Sequence, residues 1–404
     1  MKKVLIFSLT YYPFMGGAEI AIKEITDRID TKDIQFDMVT LRFDKNLPDV
    51  EKVGNVMLYR IGFTTGNPSM ADLSRPLHKF NKLLFPFFSA VKASQLHKKY
   101  HYDGIWAMMA AFAGFGALFF KMTHMSVPYV LTLQEGDPID YIKQRVRFIY
   151  PLFVRIFTSA DFIQSISTYL ANWGREMGFK GPLEVIPNAV NVRHFSQTYS
   201  EQELYEIKQQ MRKGANDIFL ITTSRLVKKN AVDDVIKSLL HLPKNMKFLV
   251  LGIGPDEEKL RKLARDIGVE RRVIFLGHVN HNSIPKYLRI SDIFIRPSLS
   301  EGMGNSFIEA MAASIPIIGT QEGGIADFLF DPDLNPEEKP TGRAVFPRSP
   351  KDIALQVEKC LRDKEITAKI VHNARELVFS KYDWDLIATD MKVKVFDKLL
   401  SKVD

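Results

Sequence analysis

The most informative stretch of the sequence is residues 296–312, which read RPSLSEGMGNSFIEAMA. A β-branched run ends just before them, near Ile295, and a helical pattern begins near Ser306. Gly302 and Gly304 allow the connecting loop to take positive φ and to come close to a ligand. The loop and the start of the helix then present free N–H groups, which suit phosphate or sugar oxygens. The segment therefore predicts a ligand site at the carboxyl end of a strand.

Two carboxylates of this segment, Glu301 and Glu309, are placed to point toward one ligand. Glu309 has two interpretations, because Ser306 and Glu309 fit the Ser-x-x-Glu capping box that closes the start of a helix. It is either a helix-cap residue or a ligand-binding residue. Glu301 has no comparable structural role in the sequence, which makes it a candidate for ligand binding.

A basic block, TSRLVKKN at residues 223–230, follows another predicted strand. Its candidate functional residues are Arg225 and Lys229. Arg can clasp two phosphate oxygens, whereas Lys acts as a point charge. Fixed cations here would stabilise the negative charge that builds up on a leaving diphosphate. The alternative is a basic turn exposed to solvent.

Short β-branched runs alternate with helical patterns along almost the whole chain. This alternation predicts parallel sheets whose faces are covered by helices. Because one sheet of this length would be unusual, we predict an α/β protein with two doubly wound, Rossmann-like domains that face a central cleft. The polar stretch 191–214 is predicted to open the second domain, and residues 384–400 have the pattern of an amphipathic helix.

The composition of the 404-residue chain is ordinary for a globular protein, with 46% hydrophobic and 25% charged residues. The single cysteine, Cys360, excludes an internal disulfide and a cysteine-rich zinc site. The formal net charge of +8 is compatible with anionic ligands and does not select one class. None of the nine histidines has metal-ligand spacing. We therefore expect no required metal, and we expect no nucleic-acid partner.

The N-terminus, MKKVLIFSLTYYPF, has two lysines before an apolar run, but Ser8 and Thr10 interrupt that run and no cleavage site follows. A buried first strand fits it better than a secretion signal. The longest apolar run, residues 105–120, is shorter than the roughly 20 residues that a membrane-spanning helix needs. We expect a cytoplasmic protein, with peripheral contact at the inner face of the membrane left open.

Several blocks of the sequence, taken together, resemble family 4 of the retaining GT-B glycosyltransferases. Glu301 and Glu309 match the Glu-x7-Glu signature of that family. The other matching blocks are Tyr12-Pro13, Gly16-Gly17-Ala18-Glu19, Ile186-Pro187-Asn188 with Phe195, Phe275-Leu276-Gly277, Pro297-Ser298 and Gly323-Gly324-Ile325. Their order and spacing agree with the family from about residue 4 to about residue 330.

The resemblance implies a role for each matched residue. Glu309 would accept hydrogen bonds from the ribose of a nucleoside diphosphate sugar, and Glu301 would face hydroxyls of the donor sugar. Arg225 and Lys229 would join Glu301 as catalytic residues. Gly16 and Gly17 would let the N-terminal loop approach the diphosphate. The donor would also meet backbone N–H groups of the loop and helix start, from Gly302, Met303, Gly304, Asn305, Ser306 and Phe307.

The resemblance also implies a separate role for each of the two domains of a GT-B enzyme. Residues 1–192 would bind the acceptor, residues 193–382 would bind the nucleotide sugar, and a helix at 383–404 would cross back to the first domain. The reaction would move a hexose from a nucleoside diphosphate sugar to a hydroxyl with retention of anomeric configuration. No cofactor is expected beyond the donor substrate.

The sequence departs from the family pattern at two of the sites that would act on the donor. Where the family has Lys followed by Gly, this chain has Asn230 and Ala231, and Lys229 stands one place early. Where the family commonly has His two residues after the Thr of the strand-like run Tyr129-Val130-Leu131-Thr132, this chain has Gln134. Gln can donate a hydrogen bond to a donor-sugar hydroxyl, but it cannot act as a general acid or base.

Two basic, aromatic-rich stretches, residues 75–100 and 141–157, are candidates for contact with an anionic membrane surface. A lipid-linked or glycan acceptor would suit that contact. The alternative is that both stretches are core-packed helices with solvated basic faces.

Two other functions remain open at this point, namely a GT-B sugar-nucleotide epimerase and a catalytically silent protein that binds sugar nucleotides. An NAD-dependent dehydrogenase is disfavoured, because no Gly-x-Gly-x-x-Gly follows the first strand.

Overall fold

The protein consists of two compact units in a computed structural model that describes residues 1–64, 66 and 76–401. One unit comprises Met1–Asn188 together with Trp384–Asp404, and the other comprises Ala189–Asp383. Each unit contains a mainly or wholly parallel sheet with connecting helices. The prediction of an α/β fold with two Rossmann-like domains is confirmed.

The N-terminal unit is built on one sheet, whose order within the described residues is β3-β4-β2-β1-β5-β6-β7-β8. Its strands are β1 (Lys2–Phe7), β2 (Ile34–Leu41), β3 (Val50–Val53), β4 (Val56–Ile61), β5 (Gly104–Met108), β6 (Tyr129–Leu133), β7 (Phe162–Ser165) and β8 (Leu183–Val185). Its first helices are α1 (Gly17–Arg28), α2 (Pro76–Tyr100), α3 (Ala113–Thr123), α4 (Ile139–Arg145), α5 (Tyr150–Thr158) and α6 (Thr168–Glu176).

Strand β1 lies at the centre of this sheet because its side chains are apolar on both faces. Val4, Leu5, Ile6 and Phe7 are all buried, as parallel strands covered on both sides require. On its two sides β1 pairs in parallel with β2 and with β5. The chain reverses its direction of winding between β1 and β5, and such a switch point is where open α/β sheets bind ligands.

The C-terminal unit has a six-stranded, wholly parallel sheet with the order β11-β10-β9-β12-β13-β14. Its strands are β9 (Ile218–Thr223), β10 (Met246–Leu251), β11 (Val273–Gly277), β12 (Ile293–Arg296), β13 (Ile317–Gly319) and β14 (Arg343–Ala344). Its helices are α7 (Val192–Ser196), α8 (Glu201–Gln210), α9 (Val232–Ser238), α10 (Glu257–Asp266), α11 (Ile284–Arg289), α12 (Asn305–Ala312), α13 (Pro350–Arg362) and α14 (Lys364–Lys381).

The switch point of this second sheet lies between β9 and β12. Strand β9 is flanked by β10 on one side and by β12 on the other, with Phe294 opposite Ile221. The strands pack into a core that includes Leu220, Phe248 and Ile295, all fully buried. Both blocks of candidate donor-site residues follow the two strands at this switch point.

The chain ends in helical structure that belongs to the N-terminal unit. Helix α15 (Trp384–Asp390) continues through a π-helical stretch, Met391–Phe396, into α16 (Asp397–Leu400). Phe396 packs edge-on against Phe36 and Trp106, with ring centroids 5.7 and 5.3 Å away. Arg28 of α1 donates to Asp385 at 2.7 Å. None of the helices in the described ranges is both long and apolar enough to cross a bilayer.

Candidate functional site

The two predicted donor-site blocks lie side by side in the C-terminal unit. The basic loop leaves β9 after Thr223, and the glycine-rich loop leaves its parallel neighbour β12 after Arg296. The backbone N–H of Leu299 donates to the carbonyl of Lys229 at 2.6 Å and joins the two loops directly. The structure thus brings Arg225, Lys229 and Glu301 to one edge of the sheet.

The guanidinium of Arg296 is the centre of this arrangement. It pairs with the Glu301 carboxylate, and its Nη2 also donates to Asn230 Oδ1 at 3.1 Å. Its Nη1 donates to Ser306 Oγ at 2.7 Å. Only 11% of the Arg296 side chain and 9% of the Glu301 side chain are exposed. One buried arginine therefore ties together the basic loop, the glycine-rich loop and the start of α12.

This network corrects the expectation that Glu301 has no structural role. The carboxylate is buried against Arg296, and Ser298 Oγ donates to its Oε1 at 3.5 Å. A carboxylate has about four acceptor sites, so pairing with Arg296 leaves capacity for a sugar hydroxyl. Arg296 was not among the predicted site residues. The available signal was an arginine at the end of a strand, five residues before the glutamate.

The start of α12 corrects the capping-box interpretation of Glu309. The helix begins at Asn305 after Gly304, and no side chain caps it. Ser306 is therefore inside the first turn, where its hydroxyl accepts from Arg296. The carboxylate of Glu309 instead contacts His281, with 2.9 Å between Oε1 and Nε2. The histidine that Glu309 contacts was also missed, because nothing in the sequence pairs these two positions.

The glycine-rich loop is shaped by one position that only glycine fits. Gly304 has φ of 98°, and a Cβ there would lie 2.9 Å from Phe307 Cδ2. The Phe307 ring packs in the core, 5.1 Å from the ring of Phe294. The N–H of Phe307 already donates to the Gly304 carbonyl at 3.0 Å. Among the backbone N–H groups predicted to bind the donor, that of Phe307 therefore already has an acceptor within the protein.

Arg225 is exposed, whereas the residues on either side of it, Ser224 and Leu226, are partly or fully buried. Its side chain makes no ion pair or hydrogen bond within residues 1–64, 66 and 76–401. Its carbonyl accepts from Asn230 Nδ2 at 2.6 Å, which fixes the backbone of the loop. Just before it, Thr223 and Ser224 bury hydroxyl oxygens that have no partner in the same ranges. A free cation beside unsatisfied hydroxyls suits a polyanionic, oxygen-rich ligand.

The remaining predicted residues lie in the N-terminal unit. Gly16 and Gly17 are exposed at the start of α1, and the N–H of Gly16 donates to Glu19 at 2.7 Å. Gln134 follows β6, and its amide exchanges hydrogen bonds with the amide of Asn188 at 3.0 and 3.3 Å. This pairing leaves Gln134 with one N–H to donate to a ligand. Within the described residues, no group of three or more His, Cys, Asp or Glu side chains could hold a metal ion.

Comparison with known proteins identifies the family. Residues 205–377 match the model for "Glycosyl transferases group 1", and residues 15–194 match the model for "Glycosyltransferase Family 4". The chain is a group 1 glycosyltransferase. The resemblance seen in the sequence is thereby confirmed, and the candidate residues of both units lie within the matched ranges.

The relatives of this glycosyltransferase include an uncharacterized glycosyltransferase of Methanocaldococcus jannaschii, which is 24% identical and covers 96% of each chain. A GDP-mannose-dependent alpha-(1-6)-phosphatidylinositol monomannoside mannosyltransferase of Mycobacterium tuberculosis is 27% identical over 59% of this chain and 62% of its own. The solved structure of sucrose-phosphate synthase from Thermosynechococcus elongatus superimposes with a TM-score of 0.82 at 19% identity, covering 100% of both chains. That likeness confirms the GT-B fold.

The buried pair of Arg296 and Glu301 gives a prediction about stability. Glu301→Ala leaves a buried guanidinium without its counter-charge, which typically costs about 3–5 kcal/mol in the free energy of unfolding. Removing Arg296 as well, with Arg296→Met, should recover part of that loss. Urea unfolding of the two single variants and the double variant measures the coupling between the two side chains.

The matched control is another Arg–Glu pair of the same unit, Arg261 with Glu257, whose side chains are 38% and 27% exposed. Glu257→Ala should cost less than about 1 kcal/mol, because solvent screens this pair. Equal losses for Glu301→Ala and Glu257→Ala would contradict the central role of Arg296.

Proposed function

We propose that this glycosyltransferase transfers a hexose from a nucleoside diphosphate sugar to a hydroxyl of a glycan or lipid-linked acceptor, with retention and without a required metal. The observation that carries the proposal is the position of Arg225 and the start of α12 at the switch point of one sheet. The exposed Arg225 and the positive end of the α12 dipole there offer positive charge to a diphosphate.

The proposed roles follow from the charge and the hydrogen-bonding capacity that each side chain retains after its contacts within the protein. Arg225 has no protein partner in the described ranges, so its guanidinium can bind the diphosphate and stabilise it as it leaves. Lys229 adds a second cation on the same loop. Glu309 can accept hydrogen bonds from ribose hydroxyls, in exchange for or beside His281. Glu301, held by Arg296, presents its remaining acceptor sites to hydroxyls of the donor sugar.

The proposed mechanism relies on charge at the phosphate rather than on a protein acid or base near the sugar. Gln134 cannot exchange a proton, so in this chain the leaving group must be stabilised mainly from the phosphate side. Arg225 and the N-terminus of α12 supply the positive charge that other transferases draw from a divalent cation. We assign acceptor binding to the unit that carries Gly16, Gly17 and Gln134.

The lipid-linked acceptor is supported by the mycobacterial relative, whose name gives a phosphatidylinositol monomannoside as its acceptor. It is also supported by the surface of α2, which carries an apolar stripe on its outward face. The exposed side chains of this stripe are Leu77, Phe80, Leu83, Phe87, Phe88 and Val91. Five lysines and no acidic residue occur in the 25 residues of α2. Apolar side chains bordered by lysines fit an anionic lipid surface.

The α2 stripe argues against the core-packed alternative for the first basic stretch. Leu83 is 64% exposed and Phe80 is 54% exposed, whereas His78, Phe85 and Ala93 face the interior. Arg75, the first residue of that stretch, lies outside the described residues. The second stretch is mixed: Phe153 and Phe157 are core residues, while Phe148 is 84% exposed beside Arg147.

The reaction itself is tested with a panel of nucleoside diphosphate sugars, assayed with hydroxyl acceptors in the presence of EDTA. We expect transfer with at least one donor, and NMR of the product should show the anomeric configuration of that donor. Inversion, or loss of activity on chelation, would contradict the proposed mechanism. Donor conversion at the same rate without an acceptor would instead favour the sugar-nucleotide epimerase.

Two substitutions should separate turnover from binding. Arg225→Ala should lower kcat by about 10²–10³-fold, since one preorganised charge that stabilises the leaving group is lost. Glu309→Ala should mainly weaken nucleoside diphosphate affinity, measured by calorimetry. Lys228→Ala, an exposed lysine three residues after Arg225, is the control and should keep most of the activity. Near-normal turnover in Arg225→Ala would refute its assignment.

Membrane contact is tested by sedimentation with vesicles of phosphatidylglycerol or of phosphatidylcholine. The protein should bind the anionic vesicles selectively and should be released by salt, because each lysine near the surface contributes roughly 1 kcal/mol that salt screens. Phe80→Glu combined with Leu83→Glu should abolish binding. Leu240→Glu, at a side chain 55% exposed in the other unit, is the matched control. Unchanged binding by the α2 variant would contradict the proposed surface.

A further inference from the structure

Glu135 is a buried carboxyl group of the N-terminal unit that the proposed reaction leaves unused. It follows β6 by two residues and is 3% exposed. Its Oε1 accepts from the N–H of Ala110 at 2.6 Å, and its Oε2 accepts from the N–H of Gln134 at 3.0 Å. No Lys, Arg or His side chain of residues 1–64, 66 and 76–401 forms an ion pair with it. Its hydrogen bonds in these ranges are therefore with backbone alone.

The two N–H groups come from loops that leave neighbouring strands at the same edge of the sheet. Ala110 lies just after β5 and Gln134 just after β6, and these strands pair in parallel with Met108 opposite Thr132. Strand β5 borders the switch point beside β1. The Glu135 carboxylate thus joins two loops at the edge where open α/β sheets bind their ligands.

The loop after β5 is strained, which makes a restraint on it necessary. Met109 has φ of 74° and Phe112 has φ of 41°, although neither is glycine. Such conformations persist only where the surroundings hold them, and they occur preferentially at functional sites. The N–H of Met109 donates to the Thr132 carbonyl at 2.9 Å, and the next N–H, of Ala110, donates to Glu135.

A carboxylate is a costly choice for a purely structural restraint. Burial penalises its charge and raises the pKa of Glu135 to about 7, against the opposing effect of the backbone N–H groups. Burial and the Glu135 charge both raise the pKa of the Tyr129 phenol on β6, and residues 109–112 carry no ionisable side chain. The ionised form accepts both N–H groups at once, whereas a neutral amide has a single acceptor oxygen.

We propose that Glu135 is a positioning residue for sugar transfer, whose carboxylate fixes the loop after β5 relative to the backbone of Gln134. This inference rests on the proposed function and on the hydrogen bond that Gln134 is expected to donate to a hydroxyl of the donor sugar. Glu135 does not touch the substrate; it holds in place the residues that do. The ionised carboxylate is the competent form, because protonation turns one of its two oxygens into an O–H donor and weakens its acceptance from a backbone N–H.

The test compares Glu135→Gln with wild type, using kcat, donor KM, nucleoside diphosphate affinity and melting temperature across pH. We expect kcat to fall about tenfold to hundredfold, as misplacement of substrate-positioning groups typically does, with nucleotide affinity unchanged. Wild-type kcat should rise with pH through about 7, and the variant should lack this rise. Asp140→Asn, at an exposed carboxylate of α4, is the control and should match wild type.

Stability gives the readout that separates positioning from a structural role. Because the folded-state pKa of Glu135 is raised, wild type loses stability as pH rises from about 4.3, the pKa of an unfolded glutamate, toward 7. Glu135→Gln removes this loss, so its melting temperature should gain on wild type across that range. A variant with normal kcat and a lower melting temperature at every pH would overturn the proposal.

The wild-type pH profile needs no variant, and a kcat that is constant between about pH 6 and pH 8 would also overturn the role of Glu135. Failure of wild type to transfer sugar from any donor would overturn both proposals. Transfer by wild type with an equally active Glu135→Gln would overturn only the positioning role.

Discussion

The donor-site region of the C-terminal unit depends on one buried interaction, the pairing of the Arg296 guanidinium with the Glu301 carboxylate. A guanidinium has five N–H donors in a fixed plane, so it can satisfy several acceptors in different directions at once. Here it pairs with Asn230 on the basic loop, Glu301 on the glycine-rich loop and Ser306 at the start of α12. The geometry of two loops and a helix start is thereby fixed by one side chain on the end of β12.

The same network explains why the departures from the family pattern are compatible with a formed site. Asn230 is 98% buried, and its amide accepts from Arg296 while donating to the Arg225 carbonyl. A lysine at this position could donate but could not accept from a guanidinium. Ala231, where the family has glycine, takes φ of 50° as the next residue in the loop. This chain thus has a bridging amide where the family has a cation, and the positive side chains of the loop are Arg225, Lys228 and Lys229.

The sequence was sufficient for the fold because alternation of buried strands and helices is a local property. The strand predicted to end near Ile295 is β12, which ends at Arg296, and the strand predicted before the basic block is β9, which ends at Thr223. The parallel order and the two switch points follow once the strands are known to be apolar on both faces. Residues such as Arg225 and Glu301 could be selected because they follow strands at these points.

The pairings within the site could not be predicted in the same way. Arg296 and Asn230 are far apart in sequence, and so are Glu309 and His281, so no local spacing relates them. Whether Glu309 caps the helix or binds a ligand depended on the exact residue at which α12 begins. Helix boundaries are the least predictable feature of a helix. Since α12 begins at Asn305, Ser306 turns toward Arg296 and Glu309 is released from capping. The register of the helix start therefore decides both contacts, that of Ser306 with Arg296 and that of Glu309 with His281.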